Sequence, residues 1–181
     1  MKNFILFIFC IVAVLIQLSV EGVFFTGSRM PDLTLAFVIT LVLALGFRKS
    51  FKWILLTGLL VDAGSGAIFG TAALAFFVIG WAVSRFAAHA DIRSRKIFFL
   101  ASFAVIIAFS EMAKDFFVLA SLKIRANFSH ESYGAPLHIF SLDYFLKILY
   151  TILAAYIIYY IFRRVSRALL LEPIKLAKKI Y

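Results

Sequence analysis

Apolar residues in this chain come in long unbroken runs, from Phe4 to Phe25, Leu33 to Phe47, Trp53 to Val61, Ala67 to Ser84, Ile97 to Leu122 and Leu142 to Phe162. None alternates polar with apolar, so the pattern is not that of barrel strands. A helix satisfies its own backbone in lipid, and about 20 apolar residues cross about 30 Å of hydrocarbon. The runs therefore predict an all-α integral membrane protein, a six-helix transmembrane bundle. The region from Phe51 to Ser84, as one helix rising 1.5 Å per residue, would measure about 50 Å, too long for one upright crossing. It is expected to turn back at Asp62-Ala63-Gly64-Ser65-Gly66, where Asp, Gly and Ser supply turn chemistry. The first run, behind Lys2, lacks a small-x-small cleavage site and precedes five more runs, so it reads as a retained helix.

Composition agrees: 64% of the 181 residues are hydrophobic, 15% are charged and 22 are Phe. The net charge of +10 raises nucleic acid as a partner, and the placement of the charge removes it. The basic residues lie between and beyond the apolar runs. With the N-terminus inside, the cytoplasmic segments hold fourteen: Lys2, Arg48, Lys49, Lys52, Arg85, Arg93, Arg95, Lys96, Arg163, Arg164, Arg167, Lys175, Lys178 and Lys179. The outer segments hold Arg29, Lys123 and Arg125, whereas Lys114 and Lys147 fall within spans. Cytoplasmic loops carry the excess of Lys and Arg, so this split favours six crossings with both termini in the cytoplasm. Fusing the third and fourth runs would move Arg85 to Lys96 to the side of Arg29 and erase it. Residues 1–162 form the expected transmembrane domain and 163–181 a basic cytoplasmic tail, suited to solvent or to an anionic leaflet. The lone Cys10 rules out an internal disulfide and a cysteine metal cluster.

Three constellations stand out. Pro31 and Asp32 open the second run, where Pro fits a first helical turn and Asp favours the positive end of the helix dipole. Gly58, Asp62, Gly66 and Gly70 recur every four residues. They form a small-residue stripe if helical; otherwise the glycines make the turn and Asp62 caps the fourth helix. Glu111, Lys114 and Asp115 in the fifth run, with Asp143 and Lys147 in the sixth, form a charge cluster near the outer leaflet. Spacings of three and four allow Glu111 with Lys114 and Asp143 with Lys147 on common faces, and the same lysines can equally pair across helices. Unpaired charge within a span costs about 2.5–3.5 kcal/mol, which favours an interior ion-pair network over a ligand cleft or a docking site. Gln17 and Glu21 point a polar face to the same side. His89, His130 and His138 lack metal-ligand spacing, and no nucleophile, zinc or phosphate-loop motif occurs, so neither an enzyme nor a cofactor is expected.

Pro31-Asp32 heading a short helix, a basic turn, and Gly58-Leu59-Leu60-Val61-Asp62-Ala63-Gly64-Ser65-Gly66 followed by Gly70 resemble, in order as well as in residue type, the MreD family of rod shape-determining membrane proteins. The specific motifs lie between Pro31 and about Leu74; the charged fifth and sixth runs match nothing particular in the family. The resemblance implies a non-enzymatic scaffold subunit of the cell-elongation complex in the bacterial cytoplasmic (inner) membrane. Its direct partner would be MreC, and through it MreB and the transpeptidase and polymerase of lateral peptidoglycan synthesis. It also implies a fold like the substrate-binding subunits of energy-coupling-factor transporters, which supplies the alternative function, a vitamin-type binding subunit with its ligand near Glu111, Asp115 and Lys147. Oligomeric state is left open.

Overall fold

The computed structural model describes residues 2–23, 30–65, 68–89, 96–129 and 142–168, and within them the chain is helical, with no strand. Six helices follow in order: α1 (Lys2–Val23), α2 (Leu33–Leu45), α3 (Phe47–Ser65), α4 (Thr71–His89), α5 (Lys96–Ser129) and α6 (Leu142–Ala168).

The organising element is α2. At 13 residues it is about 20 Å long, and its sequence LTLAFVITLVLAL is apolar on every side. A helix hydrophobic all round belongs in the interior. Every residue from Thr34 to Ala44 is buried, and α2 packs against each of the other five helices. One side of it, Leu35, Ile39 and Val42, meets Ile54 of α3, Phe76 and Ile79 of α4, and Phe103 and Ile107 of α5. Another stripe, Phe37, Leu41 and Ala44, meets Leu6 and Cys10 of α1, Trp53 of α3 and Phe162 of α6.

The outer helices are two-sided in the opposite sense from soluble ones. Phe109, Phe116, Leu142, Phe145, Leu153, Tyr160 and many other large apolar side chains are exposed, an arrangement suited to hydrocarbon. By length and composition, Thr71–Ala88 of α4 and Leu142–Phe162 of α6 are long and apolar enough to cross a membrane, while Asn3–Ser19 and Leu33–Leu45 are shorter apolar helices. Lipid tails provide no hydrophobic drive for helix association, so close packing and buried polar contacts have to hold these helices together.

The boundaries correct the sequence reading in four places. Pro31 lies one residue before the cap, since Asp32 is the N-cap and α2 begins at Leu33. The expected basic turn is helix: α2 ends at Leu45, the single residue Gly46 takes φ +80°, and α3 begins at Phe47, so Arg48, Lys49 and Lys52 stand in its opening turns. Ser50 makes this tight break workable, because its hydroxyl reaches the Leu41 and Gly46 carbonyls at 2.9 Å each. The turn expected from Asp62 to Gly66 comes later. The helix α3 takes in Asp62 to Ser65, and the chain turns through Ile68 to Gly70, where φ is +96° and glycine is required. Finally, α5 continues through Lys123 to Ser129, and α6 runs past residue 162 to Ala168. Gly66, His130 and His138 lie outside the described residues, as does the tail beyond Ala168.

Candidate functional site

Polar side chains from four helices converge where α2 begins. Asp32, with extended backbone (φ −85°, ψ 90°), accepts a 2.8 Å hydrogen bond from the Leu35 amide and a 2.7 Å bond from the Thr34 hydroxyl through Oδ1. Its carbonyl takes the Ala36 amide at 3.0 Å. The first amides of any helix lack intrahelical partners. Here distant parts of the chain supply some of them: the Leu33 amide donates to Gln17 Oε1 of α1 at 2.8 Å, and the Asp32 amide to Thr151 Oγ1 of α6 at 3.0 Å.

The second oxygen of Asp32 carries the long-range tie, an ion pair with Lys114 of α5. One turn earlier on α5, Glu111 is fully buried and meets Lys147 of α6 at 2.9 Å. Lys147 also lies 3.4 Å from both oxygens of Asp115, and its ammonium sits 5.6 Å from the centre of the Tyr144 ring. Thr151 joins the two halves. Its hydroxyl accepts from Asp32 and is within donating reach of Glu111 Oε1 (3.0 Å) and the Lys147 carbonyl (2.9 Å). The result is an alternating lattice, Asp32–Lys114 and Glu111–Lys147–Asp115, bridged by Thr151, that fastens the head of α2 to α5 and α6. Both of its lysines form these ion pairs across helices. Asp143 lies one turn before Lys147, in the first turn of α6.

Each member follows from local sequence. Residues 111, 114 and 115 share one face of α5, as 144, 147 and 151 share one face of α6, by the three-and-four spacing of a helix. The sequence reading placed Gln17 on the same side as these charges but paired neither it nor Asp32 with them. Thr151 was missed outright; the available signal was a lone threonine in the run ILYTILAAY, four residues after Lys147.

A second constellation holds α3 against α4. Asp62, buried in the last turns of α3, accepts from the amides of Gly70 (2.9 Å), Ala72 (2.8 Å) and Ala73 (3.2 Å), and so caps α4 from a neighbouring helix. One turn earlier, a Cβ built on Gly58 would lie 2.3 Å from Ala73 Cα, so only glycine allows this approach of the two backbones. Gly58 and Asp62 therefore share the side of α3 that faces α4, while Gly70 belongs to the turn.

Chemically both arrangements are closed. The charges face one another, and the amides at the head of α4 are taken by Asp62. Beside the lattice lies an open groove of about 310 Å³, but its lining, Pro31, Tyr150, Leu153, Ala154 and Ile157, is almost wholly apolar. Among the described residues, no group of histidine, cysteine and carboxylate side chains could hold a metal ion.

These features define a helical membrane protein whose polar groups tie helices together. The family model described as rod shape-determining protein MreD matches residues 1–167, and the chain belongs to that family, one of structural membrane proteins that determine rod shape. No curated protein and no solved structure matches the chain, so the expected likeness to energy-coupling-factor subunits gains no support from that comparison.

Proposed function

We propose that this protein is a six-crossing, non-enzymatic scaffold of the bacterial cell-elongation complex, with both termini in the cytoplasm, and that it binds MreC on its outer side. The observation that carries the reading is the family match over residues 1–167. With that topology, Asp32, Asp62, Glu111, Lys114, Asp115, Asp143 and Lys147 lie at or near the outer side. The lattice acts there by holding the short α2 in register with α5 and α6. A partner stem would then meet a rigid surface rather than helices free to slide. The basic stretch 163–181, whose residues up to Ala168 continue α6, lies on the cytoplasmic side in this topology. The alternative role in binding a vitamin-type molecule finds no support in the site, whose charged groups are paired with one another beside an apolar groove.

Depletion in a rod-shaped host tests this directly. Cells round up, and tagged protein purified from native membranes brings MreC with it. Glu111→Gln and Asp62→Asn lower that recovery relative to the amount of scaffold present. Depleted cells that stay rod-shaped, with no elongation protein recovered, overturn the proposal.

A further inference from the structure

The side-chain contacts put all six helices in register at one level. There the Leu33 amide meets Gln17 of α1, and Asp32 meets Thr151 of α6 and Lys114 of α5. A Cβ on Gly64 of α3 would strike Leu18 of α1, and Asp62 of α3 accepts from Gly70, Ala72 and Ala73 at the head of α4. From this level to the basic residues at the other end, four helices agree in length. At 1.5 Å per residue, Leu33 to Leu45, Asp62 to Arg48, Ala72 to Arg85 and Thr151 to Arg163 each measure about 20 Å. In the opposite direction α2, α3 and α4 have ended, whereas α6 continues from Thr151 out to Leu142 and α5 from Lys114 to Lys123, about 14 Å more in each case. The α5–α6 side is therefore tall enough for about 30 Å of hydrocarbon, and the α3–α4 side stops about 10 Å short.

We infer that the bilayer is thinned on one side of this protein, with its outer surface stepping down to the α3–α4 turn. A short hydrophobic stretch thins the bilayer, snorkels its flanking residues or draws in a neighbour. Sliding α3 and α4 outward is opposed at their basic ends, where Arg48, Lys49, Lys52 and Arg85 are exposed and Arg85 lies 5.8 Å from the centre of the exposed Trp81 ring, an interface anchor. The charge lattice favours headgroups and water over a covering of lipid tails. It borders the step at the head of α2, and its side chains reach the surface there: Lys114 is 21% exposed, Lys147 17% and Asp115 30%. Under a flat bilayer these ions would touch hydrocarbon, at the cost that keeps such residues rare within spans. A lowered surface brings polar surroundings to them. The turn is uncharged and presents Ile68 and Phe69, both exposed, which suit the lipid boundary better than an ionic contact with a partner.

The partner of this surface is thus the lipid itself, and the step needs no second protein. The inference uses only the embedding of the helices in a membrane, so its failure would leave the scaffold reading standing.

Two positions at nearly the same level test it, Ser65 at the end of α3 and Leu149 on α6, both exposed. Each is changed to cysteine in a Cys10→Ala background, since the native Cys10 is fully buried. The purified full chain is placed in dioleoylphosphatidylcholine nanodiscs, open to solvent on both faces, and treated with a membrane-impermeant maleimide. Ser65→Cys is expected to react and Leu149→Cys to stay protected, with both reacting fully once unfolded in detergent. Nitroxides on the same two cysteines give a readout independent of reagent access: relaxation by water-soluble nickel should dominate at 65 and relaxation by oxygen at 149. Protection of both positions, the mark of a flat bilayer or of a protein segment over the step, overturns the inference. Reaction at both does so too, since no step then separates the two sides.

Discussion

Two buried aspartates carry the polar architecture of this molecule, and they are held in different ways. Asp32 caps its own helix through one oxygen and gives the other to Lys114, 82 residues away. Asp62 lies inside a helix and gives both oxygens to three amides at the start of the next helix. Among the described residues it meets no cation. Both are almost completely buried. Charge on Asp32 is answered by charge, and charge on Asp62 by backbone dipoles concentrated at a helix N-terminus. The first arrangement contains a second ion that is stranded if the aspartate is lost. The second leaves behind only neutral amides, and the two should therefore respond unequally to the same substitution.

The largest effect expected from that difference is at Asp32. Asp32→Asn keeps a side-chain acceptor for the Leu35 amide but leaves the half-buried Lys114 without its partner, and breaking a buried pair from one side costs at most about 3–5 kcal/mol. Thermal unfolding in a mild detergent should show a large loss for Asp32→Asn. The double variant Asp32→Asn with Lys114→Met, which removes both charges, should recover at least half of it. If the double variant is no better than the single one, Asp32 acts as a cap alone and the contrast with Asp62 disappears.

Next in size is Gly58→Ala, which probes the same α3–α4 contact without touching a charge. The added methyl would overlap the backbone of Ala73, so the helices must part, and forced overpacking costs about 1–3 kcal/mol. The loss should appear both in thermal unfolding and in faster proteolysis at the turn, because separating the helices also lengthens the bonds from Asp62. Unchanged unfolding would mean that the backbones are further apart than described.

How much of this was legible in the sequence depends on the range of each interaction. Apolar run length located all six helices, because an apolar stretch of sufficient length has few alternatives in lipid. The breaks between helices were placed less well. The basic residues Arg48, Lys49 and Lys52 looked like a loop, yet a helix accepts them once Gly46 has made the break in one residue. The Asp-Gly-Ser turn chemistry at residues 62–66 was overridden for the same kind of reason: Asp62 to Ser65 fit within α3, and the positive φ falls at Gly70. Charge spacing along α5 and α6 put Glu111, Lys114, Asp115, Asp143 and Lys147 into one cluster, within which Lys147 meets Glu111 and Asp115. It could not show that Lys114 reaches Asp32 instead of staying with Glu111, since that choice depends on where α2 lies between them.

A smaller effect follows from Thr151→Val, which preserves side-chain shape and removes the oxygen that accepts the Asp32 amide and donates within the lattice. A buried donor left unsatisfied costs about 1–3 kcal/mol. The Glu111–Lys147 and Asp32–Lys114 pairs both remain, however, so the loss should stay well below that of Asp32→Asn. A loss equal to it would show that the two ion pairs behave as one unit that Thr151 holds closed, and thermal unfolding of Thr151→Val with and without Asp32→Asn would measure that coupling directly.

The smallest effect is expected at Asp62, and it bears most directly on the opening contrast. Asp62→Asn keeps one oxygen to accept from the head of α4 but loses the negative charge and presents an amide donor to other donors. Changes to a capping side chain cost about 0.5–2 kcal/mol. No stranded cation adds to that figure, so Asp62→Asn should unfold at a temperature nearer the unmodified chain than Asp32→Asn does. Asp62→Ala should be worse than Asp62→Asn, because it leaves the amides of Gly70, Ala72 and Ala73 without an acceptor. Should Asp62→Asn instead match Asp32→Asn in unfolding, the negative charge itself would be indispensable at α4, and the helix dipole would have to be as effective a counter-charge here as a lysine ammonium.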